Sequence, residues 1–91
     1  MKELCTARGI PYSLAPFLQE YRIEDLDPER AMHTLIERTL RFGSRAEIRW
    51  LFHRYGEPAI AQWVHRSAAF RLPRPHMVFW QTVLHTEDAS T

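Results

Sequence analysis

Met32, Leu35, Ile36, Thr39 and Leu40 stand at i, i+3, i+4, i+7 and i+8, the spacing that gathers side chains on one face of an α-helix. Asp27 is placed to cap this first helix, Pro28 suits its first position, and Gly43 ends it. Ser44 and Glu47 form a capping box for a second helix, in which Ile48, Leu51, Phe52 and Tyr55 repeat the spacing until Gly56. A third helix is expected from Pro58 to about Arg66, with Ile60, Ala61 and Val64 on one side and Trp63 beside them. It is short, so packing must hold it. After "SAAFRLPRP", Pro75 starts a fourth helix whose apolar stripe is Met77, Trp80, Val83 and Leu84.

Upstream, "SLAPFLQEYRIEDLD" has room for one or two helical turns after Pro16, with Phe17, Leu18, Tyr21 and Ile23 closing over the core. The tail "HTEDAST" is expected to fray. No alternating strand pattern with hairpin turn chemistry occurs, no repeat is visible, and the short links favour antiparallel neighbours. The expected fold is all-α, a compact bundle of four to five short helices. It forms a single helical domain over residues 1–91, with an ordered core at about 16–85 and flexible termini.

Composition agrees with a folded domain at the small end of the range, since 45% of the 91 residues are hydrophobic and 25% charged. No apolar run reaches the roughly 20 residues of a membrane span, and "MKELCTARGIPYS" lacks the apolar stretch of a signal peptide. A cytoplasmic protein with no membrane contact is expected. Cys5 is the single cysteine, so neither an internal disulfide nor a zinc-finger spacing can form. Near an end expected to be mobile, it is more readily incidental than nucleophilic.

The net charge of +1 conceals an uneven distribution: residues 1–37 carry −3, residues 38–74 carry +6 from eight arginines, and residues 75–91 carry −2. Such an Arg-rich centre can meet phosphate or an acidic protein surface. A DNA-reading helix-turn-helix would need a small residue four positions before the turn glycine and an aliphatic at a set position after it. With Gly56 as the turn, Phe52 occupies the small position and Gln62 the aliphatic one; with Gly43, Arg49 takes the buried position. Both registers fail, so Tyr55-Gly56 is expected to cap a helix and fold one bundle face onto another.

Catalysis would need a nucleophile with its base, paired carboxylates or a metal cluster. His33, His53, His65, His76 and His85 stand at no familiar ligand spacing to another His, Cys or carboxylate. A non-enzymatic protein with no catalytic residues, no metal site and no cofactor is therefore expected, since small bundles rarely enclose a pocket. Binding is the favoured activity. Trp50 lies outside the 48/51/52/55 stripe, with Arg45, Arg49 and Arg54 near it in the chain, and Arg and Trp dominate interface energetics. Core packing is the other role open to Trp50, and it is the favoured one for Trp80. Phe70 with Arg71 and Arg74 forms either a stiff connector, the favoured role, or an exposed anchor flanked by guanidinium clamps.

The stretches "PFLQEYRIEDLDPERAMHTLIERTLRFGSRAEIRWLFHRYG" and "FRLPRPHMVFWQTVL" resemble a family of small bacterial proteins that accompany AbiEii-type nucleotidyltransferase toxins. That family shows an aromatic-acidic opening, then "IxRxLxxG", "WLxxxYGxxxIxxxV" and "LSPxxxxFWxxxL". Here Ile36, Arg38, Leu40, Gly43, Trp50, Leu51, Tyr55, Gly56, Ile60, Val64, Leu72, Phe79 and Trp80 fall in register, over roughly residues 16–84. Two departures stand out: Phe17 to Tyr21 replace a Trp-Asp pair, and Pro73-Arg74-Pro75 replace the Ser-Pro helix start. The resemblance implies the antitoxin of a toxin-antitoxin module, which neutralises a nucleotidyltransferase toxin by direct protein-protein binding. The expected contact residues are Arg45, Arg49, Trp50, Arg54, Phe70, Arg71 and Arg74. The alternative is a small nucleic-acid-binding transcriptional regulator using the same Arg-rich face; nucleic acid is otherwise a secondary partner.

Overall fold

Gly43 and Gly56 punctuate the helical part of the chain. The computed structural model describes residues 4–84, with helices α1 (Met32–Phe42), α2 (Arg45–Tyr55), α3 (Glu57–Arg71) and α4 (Arg74–Leu84). Two short 3-10 segments, Tyr12–Phe17 and Ile23–Asp25, precede them. Among the described residues there is no strand, only an isolated antiparallel bridge between Cys5 and Pro11. The all-α fold with short connections is thus the one the spacing predicts. No helix among the described residues is long and apolar enough to cross a membrane, and the tail expected to fray lies outside the described residues.

Each chain reversal has a local cause. A Cβ at Gly43 would sit 2.7 Å from the Thr39 carbonyl oxygen and 3.3 Å from Glu47 Cβ, so only glycine lets α1 hand over to α2 so tightly. The Ser44 backbone N–H and hydroxyl both donate to Glu47 Oε1 at 2.6 Å, the expected capping box. Gly56 has φ +89°, a conformation closed to side chains with a Cβ. Its N–H donates to the Phe52 carbonyl and its own carbonyl accepts from Ile60 N–H, so one residue ends α2 and begins α3. The Tyr55-Gly56 crease is architectural, as its composition suggests.

Several boundaries differ from those the pattern predicts. α1 becomes regular only at Met32: Asp27 Oδ1 caps by accepting from Glu29 N–H, and residues 28–31 form turns before the ladder continues. α3 runs to Arg71 instead of Arg66, so "SAAFR" is helix, and the link to α4 shrinks to Leu72 and Pro73. Alanines favour continuation, and burial of Ala68 against the core supplies the packing that the extra turn needs. Upstream, one 3-10 segment, Tyr12–Phe17, lies across Pro16, and the expected turn after Pro16 is the second, Ile23–Asp25.

The core has two lobes that meet at α1. Ile36 and Leu40 of α1 join Leu51, Ile60, Val64 and Trp80 in the helical lobe. Leu35 turns the other way, into a lobe with Ile10, Leu14, Leu18 and Ile23. Trp50 packs against both. The ordered core therefore begins well before residue 16: Thr6, Ile10 and Leu14 are buried, and Cys5 belongs to the bridge, not to a mobile end. Leu18 and Ile23 close over the core as expected, whereas Tyr21 is exposed. In α4, Trp80 and Leu84 are buried but Val83 is not.

Substituting Gly56→Ala is expected to cost about 1 to 3 kcal/mol, the strain of a Cβ in a glycine-only conformation. A lower urea midpoint with unchanged slope in chemical denaturation checks it. Thr39 is fully buried and its hydroxyl has no hydrogen-bond partner, so Thr39→Val, which keeps the shape, should raise stability by about 1 kcal/mol. A higher midpoint in the same assay is the expected result.

Candidate functional site

The three tryptophans each send an indole N–H to another element. Trp50 Nε1 of α2 donates to the Gly9 carbonyl at 2.9 Å, Trp63 Nε1 of α3 to His33 Nδ1 of α1 at 2.8 Å, and Trp80 Nε1 of α4 to the Leu40 carbonyl at 3.1 Å. Trp63 and Trp80 are buried, so these bonds satisfy donors that would otherwise lack water. The expectation of Trp80 in the core holds. Trp50 is half-buried and tied to the N-terminal lobe, which makes it a fastener between lobes and removes it as a free docking side chain.

The arginines divide into engaged and free. Arg38 grips the N-terminal lobe: Nη1 donates to the Phe17 carbonyl at 2.8 Å and to Glu20 Oε1 at 3.1 Å, while Nη2 pairs with Glu20 Oε2. This bidentate contact gives the Arg of "IxRxLxxG" a structural role. The Arg38 hydrogen bonds pull the Glu20 carboxyl down to about 2. Arg54 pairs with Glu29 at 2.6 Å and lies over the Tyr55 ring, 5.2 Å from its centroid. Tyr55 in turn donates its hydroxyl to the Pro28 carbonyl at 2.8 Å, and burial pushes that phenol up to about 12. Glu47 is buried, and hydrogen bonds from Ser13 first and Ser44 second hold its carboxyl below the usual range.

Arg45, Arg49, Trp50 and Arg54 do not form one face. At roughly 100° per residue, Arg45 and Arg49 share a side of α2 while Arg54 comes about half a turn away. Burial agrees: Arg45 and Arg49 are exposed, and Arg54 is half-buried against Glu29 and Tyr55. The proximity in sequence that suggested a single patch is not proximity on the helix.

The second expected group comes together differently. Phe70 and Arg71 lie on the last turn of α3 and Arg74 opens α4, so this stretch is the tip of a helical hairpin, not a stiff connector. Phe70 is 85% exposed, as an anchor would be. Phe79, Val78 and Val83 on α4 are exposed as well. With Trp80 and Leu84 inward at i and i+4, residues 78, 79 and 82 are left outward, and Val83, expected in the buried stripe, joins them. Elsewhere on the surface, Phe42 stacks on Phe17 at 5.5 Å with Arg41 above it.

Two open grooves flank α1. One, of about 500 Å³, is bordered by Arg8, Tyr21, Asp25, Asp27 and Arg30. The other, of about 390 Å³, lies between α1 and α3 and is bordered by Arg30, His33, Gln62, Trp63 and Arg66. Among the described residues no three His, Cys, Asp or Glu side chains converge to hold a metal ion.

The model of a family of unknown function (DUF6922) matches residues 14–64, more than half of the chain. The match takes in Arg38, Gly43, Trp50, Tyr55 and Gly56 and stops within α3, ahead of Phe79 and Trp80. No curated protein and no solved structure matches.

The depressed Glu20 carboxyl gives a signed pH prediction. Its folded value, about 2 against 4.5 ordinarily, means that the Arg38 contact stabilises fully above pH 4.5 and is lost as pH falls toward 2. The thermal advantage of the wild type over Glu20→Gln should therefore be present at neutral pH and vanish in acid. In Arg38→Met, NMR titration of the Glu20 carboxyl should return to the ordinary carboxylate range.

Proposed function

The chain belongs to this family of unknown function; we propose, on its free surface charge and its sequence motifs, that it is an antitoxin that neutralises a nucleotidyltransferase toxin by direct binding. The observation that carries this is the free charge. Of eight arginines in residues 38–74, only Arg38 and Arg54 hold carboxylates among the described residues. Arg45 and Arg49 stand together and exposed on one side of α2, and Arg71 and Arg74 flank the exposed Phe70. Guanidinium groups with no carboxylate partner among the described residues, beside exposed aromatics, have the makeup of an interface. The resemblance of "IxRxLxxG" and "WLxxxYGxxxIxxxV" to the companions of AbiEii-type toxins supplies the partner. The catalytic clefts of such toxins carry metal-binding carboxylates, which the guanidinium groups can occupy by charge complementarity.

The protein in this role is a binding partner and no enzyme, and it acts in the cytoplasm where its toxin acts on RNA. The same free arginines suit phosphate, so a nucleic-acid-binding regulator is the second reading. It predicts sequence-selective binding to the promoter of its own operon, beyond a generic loss of affinity with salt.

The test is co-expression with the product of the neighbouring gene, which this reading requires to be a nucleotidyltransferase, followed by size-exclusion chromatography with light scattering and an assay of nucleotide transfer. A stable complex that abolishes transfer is the expected result, and the absence of any complex overturns the antitoxin reading. Arg45→Glu with Arg49→Glu is expected to weaken the complex by about tenfold or more, with helicity by circular dichroism unchanged. Undiminished affinity would remove the α2 edge from the contact.

A further inference from the structure

α4 presents two contrasting arcs. Met77, Trp80 and Leu84 turn inward onto the helical lobe. The opposite arc carries Pro75, Val78, Phe79, Thr82 and Val83, all exposed, with Phe79 at 56%. A surface helix ordinarily places charge on its outer side, yet from Pro75 to Leu84 there is no Lys, Arg, Asp or Glu. Isolated surface aliphatics are ordinary. A continuous uncharged arc on one helix, with the exposed Phe70 at the adjoining hairpin tip, is the kind of patch that marks an interaction site.

The arrangement of that arc indicates what fits it. Phe79 with Val83 and Val78 with Thr82 are i, i+4 pairs, the ridges that interleave with those of a second helix. Charge then selects the occupant. Between Pro58 and Leu84 the chain holds Arg66, Arg71 and Arg74 and no carboxylate, so an acidic helix gains ion pairs at the hairpin tip and a basic one is repelled.

We propose that the outer face of the α3–α4 hairpin docks an acidic amphipathic helix of a partner protein. The apolar stripe of that helix packs on the Phe79 and Val83 row, and its carboxylates meet Arg71 and Arg74. The inference rests on the protein-binding reading above for the partner's identity, and on the exposed arc for the place of contact. It moves the apolar anchor of the interface from Trp50, which is spent inside the fold, to Phe79 and Phe70.

The test titrates the isotope-labelled full chain with two synthetic peptides of about five helical turns, which share a leucine stripe and differ in carrying glutamate or lysine elsewhere. The expected result is NMR shift changes confined to residues 70–83 with the glutamate peptide, and affinity at least about tenfold weaker for the lysine peptide. The exposed-site variant Phe79→Ser with Val83→Ser should abolish the shifts while leaving circular dichroism unchanged, and Arg71→Glu with Arg74→Glu should reverse the preference. Shifts elsewhere, equal binding of both peptides, no binding, or a dimer of the free chain that Phe79→Ser dissolves would each overturn the proposal. The product of the neighbouring gene, run in parallel, separates the two readings. Peptide docking on the hairpin without a nucleotidyltransferase complex leaves this inference standing and sinks the antitoxin. A complex untouched by the Phe79 and Val83 substitutions does the reverse.

Discussion

Helix α1 has to serve two cores at once, and the rest of the molecule is arranged around that demand. It has only eleven residues. Leu35 faces the N-terminal lobe, while Ile36 and Leu40 face the helical one. A chain this short cannot spare a separate helix for each lobe, because its burial is already near the lower limit for a stable domain. α1 accordingly packs against α2, α3, α4 and the Tyr12–Phe17 turn. It is also where most long-range polar contacts end: Trp63 reaches His33, Trp80 reaches the Leu40 carbonyl, and Arg38 extends outward to Phe17 and Glu20.

This division of labour explains which side chains are left for binding. A tryptophan with its N–H satisfied inside the chain is expensive to withdraw, so Trp50, Trp63 and Trp80 are consumed by the architecture. Arg38 and Arg54 are consumed in the same way by Glu20 and Glu29. What remains outward is a set of arginines without carboxylate partners among the described residues, and the uncharged arc of α4. α3 and α4 pack chiefly on each other, and the inner faces that make this hairpin leave no interior place for Phe70, Val78 or Phe79.

Much of the fold was legible because the signals were local. The 3.6-residue spacing marks α1 and α2, the Ser44 and Glu47 box marks a helix start, and Gly56 marks a stop, each through interactions spanning a few residues. The length of α3 was less legible, since nothing within "SAAFR" ends a helix and the decision lies in the contact of Ala68 with the core. The N-terminal lobe was nearly invisible. Ile10, Leu14 and Leu18 stand at i, i+4 and i+8, but Pro11 and Pro16 interrupt any α-helix there, and their burial depends on Leu35 and Trp50, far away in sequence. Of the expected contact residues, Phe70, Arg71 and Arg74 are brought together on the hairpin tip. Arg45, Arg49, Trp50 and Arg54 are separated by the turn of one helix, a consequence of period that adjacency in the chain conceals.

The amino-acid sequence by itself determined the helical class, the glycine punctuation between α1, α2 and α3, the buried stripe of α1 and the Arg-rich middle of the chain. These follow from backbone stereochemistry, capping and periodicity, which act over one or two turns. Tertiary structure decided which of two outlets each ambiguous side chain took: Trp50 inward to Gly9, Arg54 onto Glu29, Phe70 and Phe79 to the surface. A large amphipathic residue can satisfy itself equally in a core or at an interface. The choice is made by whether a partner carbonyl, carboxylate or apolar wall from a distant segment arrives beside it.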